Sequence, residues 1–172
     1  MIDPSAFACE IDAIDYSGFR VEPEHIDPNG HMNVGYYSVL FDRALDLPWE
    51  RLRIYSRVLL ETGLSSFALE SHLTYKRELT LGDPLGFRFT VLDYDPKRIH
   101  YWMAMTHASE GWTAAITEQI SMCIDMNVRR STAWPEETLA RIAALYEVHK
   151  DRSRPEEIGH VIGIRHRADT GT

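Results

Sequence analysis

The sequence predicts an α+β protein in which a curved antiparallel β-sheet wraps around one central α-helix. Three observations carry that expectation. Between residues 33 and 47 apolar side chains stand at positions 34, 36, 37, 39, 40, 41, 44, 45 and 47. That covers most of a helix circumference, as in a helix enclosed by other structure. After Gly63 the period changes to two, and four strand-like runs follow with short connections, which makes the sheet antiparallel. A sheet with one apolar face needs a cover, and an all-round apolar helix needs a wrapper, so each supplies what the other lacks.

The elements follow in order. Residues 1–16 are polar and read as a loose lead-in. "GFRVEPEHID" (18–27) reads as a short extended piece stopped by Pro28. The central helix opens near Asn33 and is expected to end at Pro48, with a second, more amphipathic piece, "WERLRIYSRVLLETG", closed by Gly63. In "FALESHLTYKR" Phe67, Leu69, Leu73 and Tyr75 alternate with polar or small residues, which predicts a strand buried on one face. "LGFRFTVL", "IHYWMAMTH" and "WTAAITEQISMCIDM" repeat the pattern around the turns "DYDPKR" and "ASEG". A closing helix is expected over 135–150, with Pro135 in its first turn. Residues 1–150 are thus expected to form one domain, and 151–172 a polar C-terminal tail.

Composition narrows the function. Among 172 residues, 18 Lys+Arg face 26 Asp+Glu, for a net charge of -8. Such a chain has no general attraction to phosphate backbones, so a nucleic-acid partner is not expected. Two cysteines, Cys9 and Cys123, make no disulfide framework and no metal quartet, and the expected compartment is the reducing cytoplasm. The acidic N-terminus does not read as a signal peptide, and no run approaches the ~18 apolar residues of a membrane span. Neither a cofactor nor a metal is expected.

The stretch "HIDPNGHMN" (25–33) ahead of the central helix is richer than a turn requires. Asp-Pro and Asn-Gly form turns, Gly30 allows positive φ or close backbone approach, and Asn33 is well placed as an N-cap. "DPNGHMNVGYYSVLFDRA" resembles the helix-entry motif of hotdog-fold acyl-CoA thioesterases of the 4-hydroxybenzoyl-CoA thioesterase type: Asp, two residues, Gly-His, an apolar residue, Asn, then an aromatic-rich helix. The resemblance extends through "YKRELTLGDPLGFRFTV", "ITEQISMCIDM" and "RR…PEE", over roughly 18–150. Val34 departs from it, since many members carry a second Asn there.

That resemblance implies the hotdog fold and hydrolysis of an acyl-CoA thioester by a homodimer or homotetramer, with sites between subunits at the N-terminal end of the central helix. It matches Asp27 to the family's catalytic carboxylate and the amides near Asn33 and Val34 to its oxyanion-binding helix start. A helix N-terminus suits that task through its unpaired N–H groups and positive dipole end. Asp27 could attack the carbonyl or take a proton from water. Asn33 is a cap or a substrate contact. His31 reads as a brace for the loop, and Gly30, Val34 and Tyr36 stand where substrate would pass. Glu118 shares the parity of Ala114, Ile116, Ile120, Met122 and Ile124, so it is either a catalytic carboxylate, an ion-pair member or a residue turned outward by a bulge. Arg129 and Arg130, Lys97–Arg98 and Lys76–Arg77 are candidates for CoA phosphates. Some thioesterases of this look act on a betaine-type acyl group, for which aromatic rings would be suitable neighbours. The open alternatives are a hotdog hydratase or dehydratase, favoured by a catalytic His31, and a non-catalytic acyl- or CoA-binding hotdog protein.

Overall fold

The computed structural model describes residues 2–54 and 61–164. Its elements are α1 (Pro4–Asp12), α2 (Val34–Leu52), β1 (Leu64–Tyr75), β2 (Leu85–Tyr94), β3 (Arg98–His107), β4 (Thr113–Asp125), β5 (Arg130–Ser131) and α3 (Glu136–His149). One 3-10 turn covers Pro23–His25. The strands form a single antiparallel sheet in the order β1-β4-β3-β2, and β5 adds two residues to β4.

Helix α2 packs on one face of the sheet. Its Phe41 and Trp49 rings meet Phe87, Phe89 and Tyr101 at centroid distances of 5.0–5.9 Å. Its buried residues are Tyr37, Leu40, Phe41, Ala44, Leu45, Pro48, Trp49 and Leu52, a stripe with helical spacing. The other flank is open, with Val34 59% and Val39 38% exposed, so within one chain α2 is one-sided rather than wrapped. Pro48 does not end it. The proline removes one backbone donor, but its ring and those of its neighbours lie in the core, and the helix runs on to Arg53, a left-handed cap at φ 62. The second helical piece expected after Pro48 therefore begins as part of α2, and its residues 55–60 lie outside the described ones.

Two bulges set which side chains face α2. Leu69 is an extra residue between the paired Ala68 and Glu70, and Leu92 is extra between Val91 and Asp93. In β1 the alternation reverses at Leu69, so the expected single apolar face never forms. Phe67, Leu69 and Tyr75 are 42%, 51% and 48% exposed. In β4 the face toward α2 carries Ala115, Thr117, Gln119, Ser121 and Cys123, the first four paired with Met105, Met103, Tyr101 and Ile99 of β3. Of the set expected on the core side, Ala114 is in the main core, beside a register shift, while Ile116, Glu118, Ile120, Met122 and Ile124 are on the outer face. A small cluster of Leu92, Trp102, Ala104 and Ile116 covers that face, with Ile158 packed on it.

The N-terminal segment is ordered, contrary to the expected loose lead-in. Asp3 caps α1 by accepting from the amides of Ser5 and Ala6, Pro4 opens it, and Phe7, Ala8 and Ile11 are buried. Three apolar positions in an otherwise polar stretch suffice because α3 and β2 supply the opposing surface. "GFRVEPEHID" forms no strand; single bridges join Arg20 to Pro84 and Ile26 to Met32. The closing helix matches its expected span. Among the described residues, no helix is long and apolar enough to cross a membrane.

Candidate active site at the entry to the central helix

The loops before α2, between β1 and β2, and between β3 and β4 gather at one end of the sheet. Backbone bonds tie them: Val21 N–H to Asp83 O at 3.0 Å, Met32 N–H to Leu79 O at 2.8 Å and Leu85 N–H to Phe19 O at 2.9 Å. Local chemistry then shapes residues 25–33. A turn closes from Gly30 N–H to Asp27 O at 3.0 Å, with Gly30 at φ 84, a conformation only glycine adopts cheaply. Asp27 N–H donates to His31 O at 3.0 Å, and the Asp27 Oδ1 accepts from Asn29 N–H at 2.8 Å. The Asp27 carboxylate is half-buried. Among the described residues its second oxygen has only the Asn29 amide group, at 3.5 Å.

The loop has a buried brace that the sequence did not advertise. His25 is 2% exposed, accepts from Glu22 N–H through Nδ1 at 2.9 Å, and stacks on Tyr36 at 4.7 Å. Its carbonyl accepts Asn33 N–H at 2.8 Å. The Glu22–His25 spacing of three, as in a capping box, was the available signal. His31 does not brace the loop as expected. Its Nε2 sits 3.3 Å from Glu78 across to the next loop, at 41% exposure.

At the helix start the amides are distributed unevenly. Asn33 N–H is taken by His25, Gly35 N–H by the Asn33 Oδ1 at 2.9 Å, and Tyr36 N–H by Asn33 O. Asn33 is therefore an N-cap, its side-chain oxygen committed to the helix. Val34 N–H has no acceptor among the described residues, and Val34 is exposed. The Tyr75 hydroxyl donates to Val34 O at 3.3 Å and packs edge-on against Tyr37 at 5.1 Å. An unpaired donor at a positive helix end can polarise a carbonyl, and a carboxylate in the preceding turn can take a proton from water or attack an acyl carbon.

The remaining candidates separate. Glu118 is on the outer face, where its Oε1 lies 2.8 Å from His100 Nε2 and its Oε2 accepts Gly159 N–H at 2.7 Å. Parity explains the displacement: the apolar side of β4 turned out to be the side away from α2. Arg129 and Arg130 follow Asp125, at the opposite end of β4 from Ala115, the residue paired with Tyr75. Ten residues of strand put them about 33 Å from the helix entry within one chain. Lys97–Arg98 is at that far end too, paired at Met122. Only Lys76–Arg77 stands at the entry end, where Arg77 stacks over Trp112 at 4.1 Å and Lys76 pairs with Glu157. Of the aromatic residues, Tyr36, Tyr37, Tyr75 and Trp112 lie at the entry end, whereas Trp49 and Trp102 are buried elsewhere and Tyr55 is outside the described residues.

An antiparallel sheet packed on one helix, with the loops gathered at the helix entry, is the hotdog arrangement. Residues 21–142 match the thioesterase-like superfamily, and the chain belongs to that family of hotdog-fold acyl-CoA thioesterases. It is 33% identical over 144 residues to the betainyl-CoA thioesterase of Pseudomonas aeruginosa, covering 84% of this chain and 91% of that one. A bifunctional L-carnitine dehydrogenase/betainyl-CoA thioesterase of Rhizobium meliloti is 28% identical, and the match covers 29% of that longer protein. Among solved structures, a Staphylococcus aureus protein in complex with CoA superposes with a TM-score of 0.80 at 32% identity, covering 86% of this chain and 92% of that one. A putative thioesterase of Pseudomonas putida superposes with a TM-score of 0.71 at 26% identity, covering 85% and 93%.

Proposed function

We propose that the chain hydrolyses an acyl-CoA thioester whose acyl group carries a quaternary ammonium, as betainyl does, with Asp27 as general base or nucleophile and Val34 N–H as the oxyanion donor. The observation that carries this reading is the helix entry itself. The Asp27 carboxylate opens the glycine turn, and Val34 N–H, a first-turn amide with no acceptor among the described residues, follows that turn at the start of α2. The named activity of the Pseudomonas aeruginosa relative supports the acyl class.

In the general-base form, Asp27 takes a proton from water as its oxygen bonds to the carbonyl carbon. The carbonyl oxygen becomes negative and accepts from Val34 N–H. Collapse breaks the C–S bond, and the CoA thiolate leaves and is protonated. In the nucleophilic form, an Asp27 oxygen forms the new bond, the thiolate leaves, and water hydrolyses the resulting anhydride. One donor of this kind contributes roughly 3–4 kcal/mol in the transition state. Lys76 and Arg77, at the entry end, are assigned to the CoA phosphates, and a second copy of the chain is assigned to the open flank of α2 and β1.

Asp27→Asn is a clean test, because an amide oxygen can still accept Asn29 N–H and keep the turn. Thiol release from betainyl-CoA is expected to fall at least about a hundredfold with unchanged thermal unfolding. Retained hydrolysis would remove Asp27 from the mechanism.

A further inference from the structure

A cavity of about 570 Å³ opens beside strand β2, lined by Asp12, Arg88, Thr90, Trp102, Arg152 and Ser153 among others, and by no residue of the helix entry. Three parts of the fold build it. Asp12 ends α1, Arg152 follows α3, and Thr90 and Trp102 face each other across the β2–β3 ladder. The cover that α1 and α3 give the β2 edge is incomplete here. Leu85 N–H is taken by Phe19 O and Val91 N–H by His149, and strand residues of that parity turn their amides to the edge. Phe87 and Phe89, between them, also line the cavity, and their amides have no acceptor among the described residues.

The wall is rich in donors that lack acceptors. Thr90 is 2% and Trp102 4% exposed, yet neither the Thr90 hydroxyl nor the Trp102 indole N–H has a hydrogen-bond partner among the described residues. An indole nitrogen can only donate, so the group that would satisfy it is an acceptor. Folded proteins rarely leave such buried groups unpaired, because each one costs its full desolvation. The charge at the rim has the matching sign. Arg152 grips both Asp12 oxygens through its terminal nitrogens, at 2.8 and 2.6 Å, which commits the carboxylate and leaves Nε–H over. The Asp12 carboxyl is held below the usual carboxylate range, first by that hydrogen bonding and more weakly by the charge of Arg88, so a second guanidinium stands close by. Two cations thus face one committed carboxylate.

We propose that this cavity binds a small oxyanion, a carboxylate or a phosphate group, with Arg88 and Arg152 supplying charge and Trp102 and Thr90 supplying hydrogen bonds. An anionic oxygen has the lone pairs to meet several of these donors at once, and charge-assisted bonds of this kind are the strong ones. The site is separate from the helix entry and does not depend on the thioester chemistry.

The test is a titration of the full chain, isotope-labelled so that the indole N–H resonances of its four tryptophans are followed by NMR. Trp102→Phe identifies the resonance that belongs to the cavity. Inorganic phosphate and acetate are added in separate arms at constant ionic strength, with chloride as the control. One arm or both should move the Trp102 resonance saturably, and the arm that does so identifies the anion. Arg88→Gln should weaken that binding at least about tenfold at unchanged thermal unfolding. Thr90→Val should weaken it about fivefold, while the anion-free variant unfolds no more easily than the wild type, since the hydroxyl removed had no partner. No saturable movement with either anion, or the same movement with chloride, overturns the site. Binding that is unchanged in a variant overturns the role given to that residue.

Discussion

His149 shows how one buried side chain can carry both sheet geometry and pH dependence. The Leu92 bulge leaves an amide of the edge strand β2 in need of an acceptor, and His149 Nδ1 takes Val91 N–H at 3.0 Å. That bond needs the neutral ring, and His149 is 1% exposed. Burial, with Arg152 nearby and Asp12 opposing, lowers its pKa from 6.5 to about 4. The unfolded chain therefore binds a proton below pH 6.5 that the folded chain refuses until about pH 4, so stability falls as pH drops through that window. The full loss is about 3 kcal/mol. Urea unfolding of the wild type at pH 7, 5.5 and 4.5 should show it. Asn at this position keeps an acceptor near Nδ1 but does not titrate, so His149→Asn should flatten the dependence; an equally steep one would place the effect on other groups. The same scale shows why site residues differed in legibility. Asp27 and Gly30 act through local turn geometry, which a tetrapeptide encodes. Asn33 was read as cap or contact, and its oxygen went to Gly35 N–H.

Helix α2 ends in a way that stores removable strain. Arg53 holds φ 62 as the residue after the helix, with its amide returned to Glu50 O and its carbonyl accepting the Thr138 hydroxyl at 3.1 Å. A side chain in that region costs about 1 kcal/mol relative to glycine, and its contact with Glu137, at 3.7 Å and half-exposed, returns little. Arg53→Gly is therefore expected to raise stability by about 0.5–1 kcal/mol in urea unfolding at unchanged activity. A destabilised variant would mean the guanidinium contact dominates. Elements whose period is set by their own burial were legible: α3, β2 to β4 and the antiparallel order. Three features were not. The stability of α1 comes from its contact with α3, which its own nine residues do not reveal. Pro48 is a local helix breaker overruled by the core packing of the Trp49 ring on Phe89 and Tyr101. Bulges are single-residue insertions that reverse parity, so period-two reading fails in β1 beyond Leu69; in β4 the face that carries Glu118 was misassigned for another reason, that the outer side of the sheet is apolar as well.

At the scale of the whole molecule, the two edges of the sheet are treated unequally. The β2 edge is covered by α3 and α1 and has an amide satisfied by His149. The β1 edge, twelve residues long, has no strand neighbour among the described residues and exposes Phe67 and Leu69, while the adjacent flank of α2 exposes Val39. A long open edge with apolar side chains favours aggregation unless another strand pairs with it. The same flank opens a cleft between α2 and the sheet, lined by Ser38, Phe41 and Tyr101 among others. Pairing of two copies along β1 would remove the open edge, bury these apolar residues and close the cleft in one step, so assembly and activity should be lost together. Leu69→Asp puts a charge at the bulge of the edge without touching Asp27 or Val34. In light scattering after size exclusion, the wild type is expected at twice 19.8 kDa or a higher even multiple, and the variant should shift toward 19.8 kDa. Thiol release should fall more than about tenfold as the cleft opens to water, with activity partly recovered at high protein concentration as mass action restores the pairs. A fully active monomer would show that one chain builds the whole site, and that the open edge is protected by something other than a second copy.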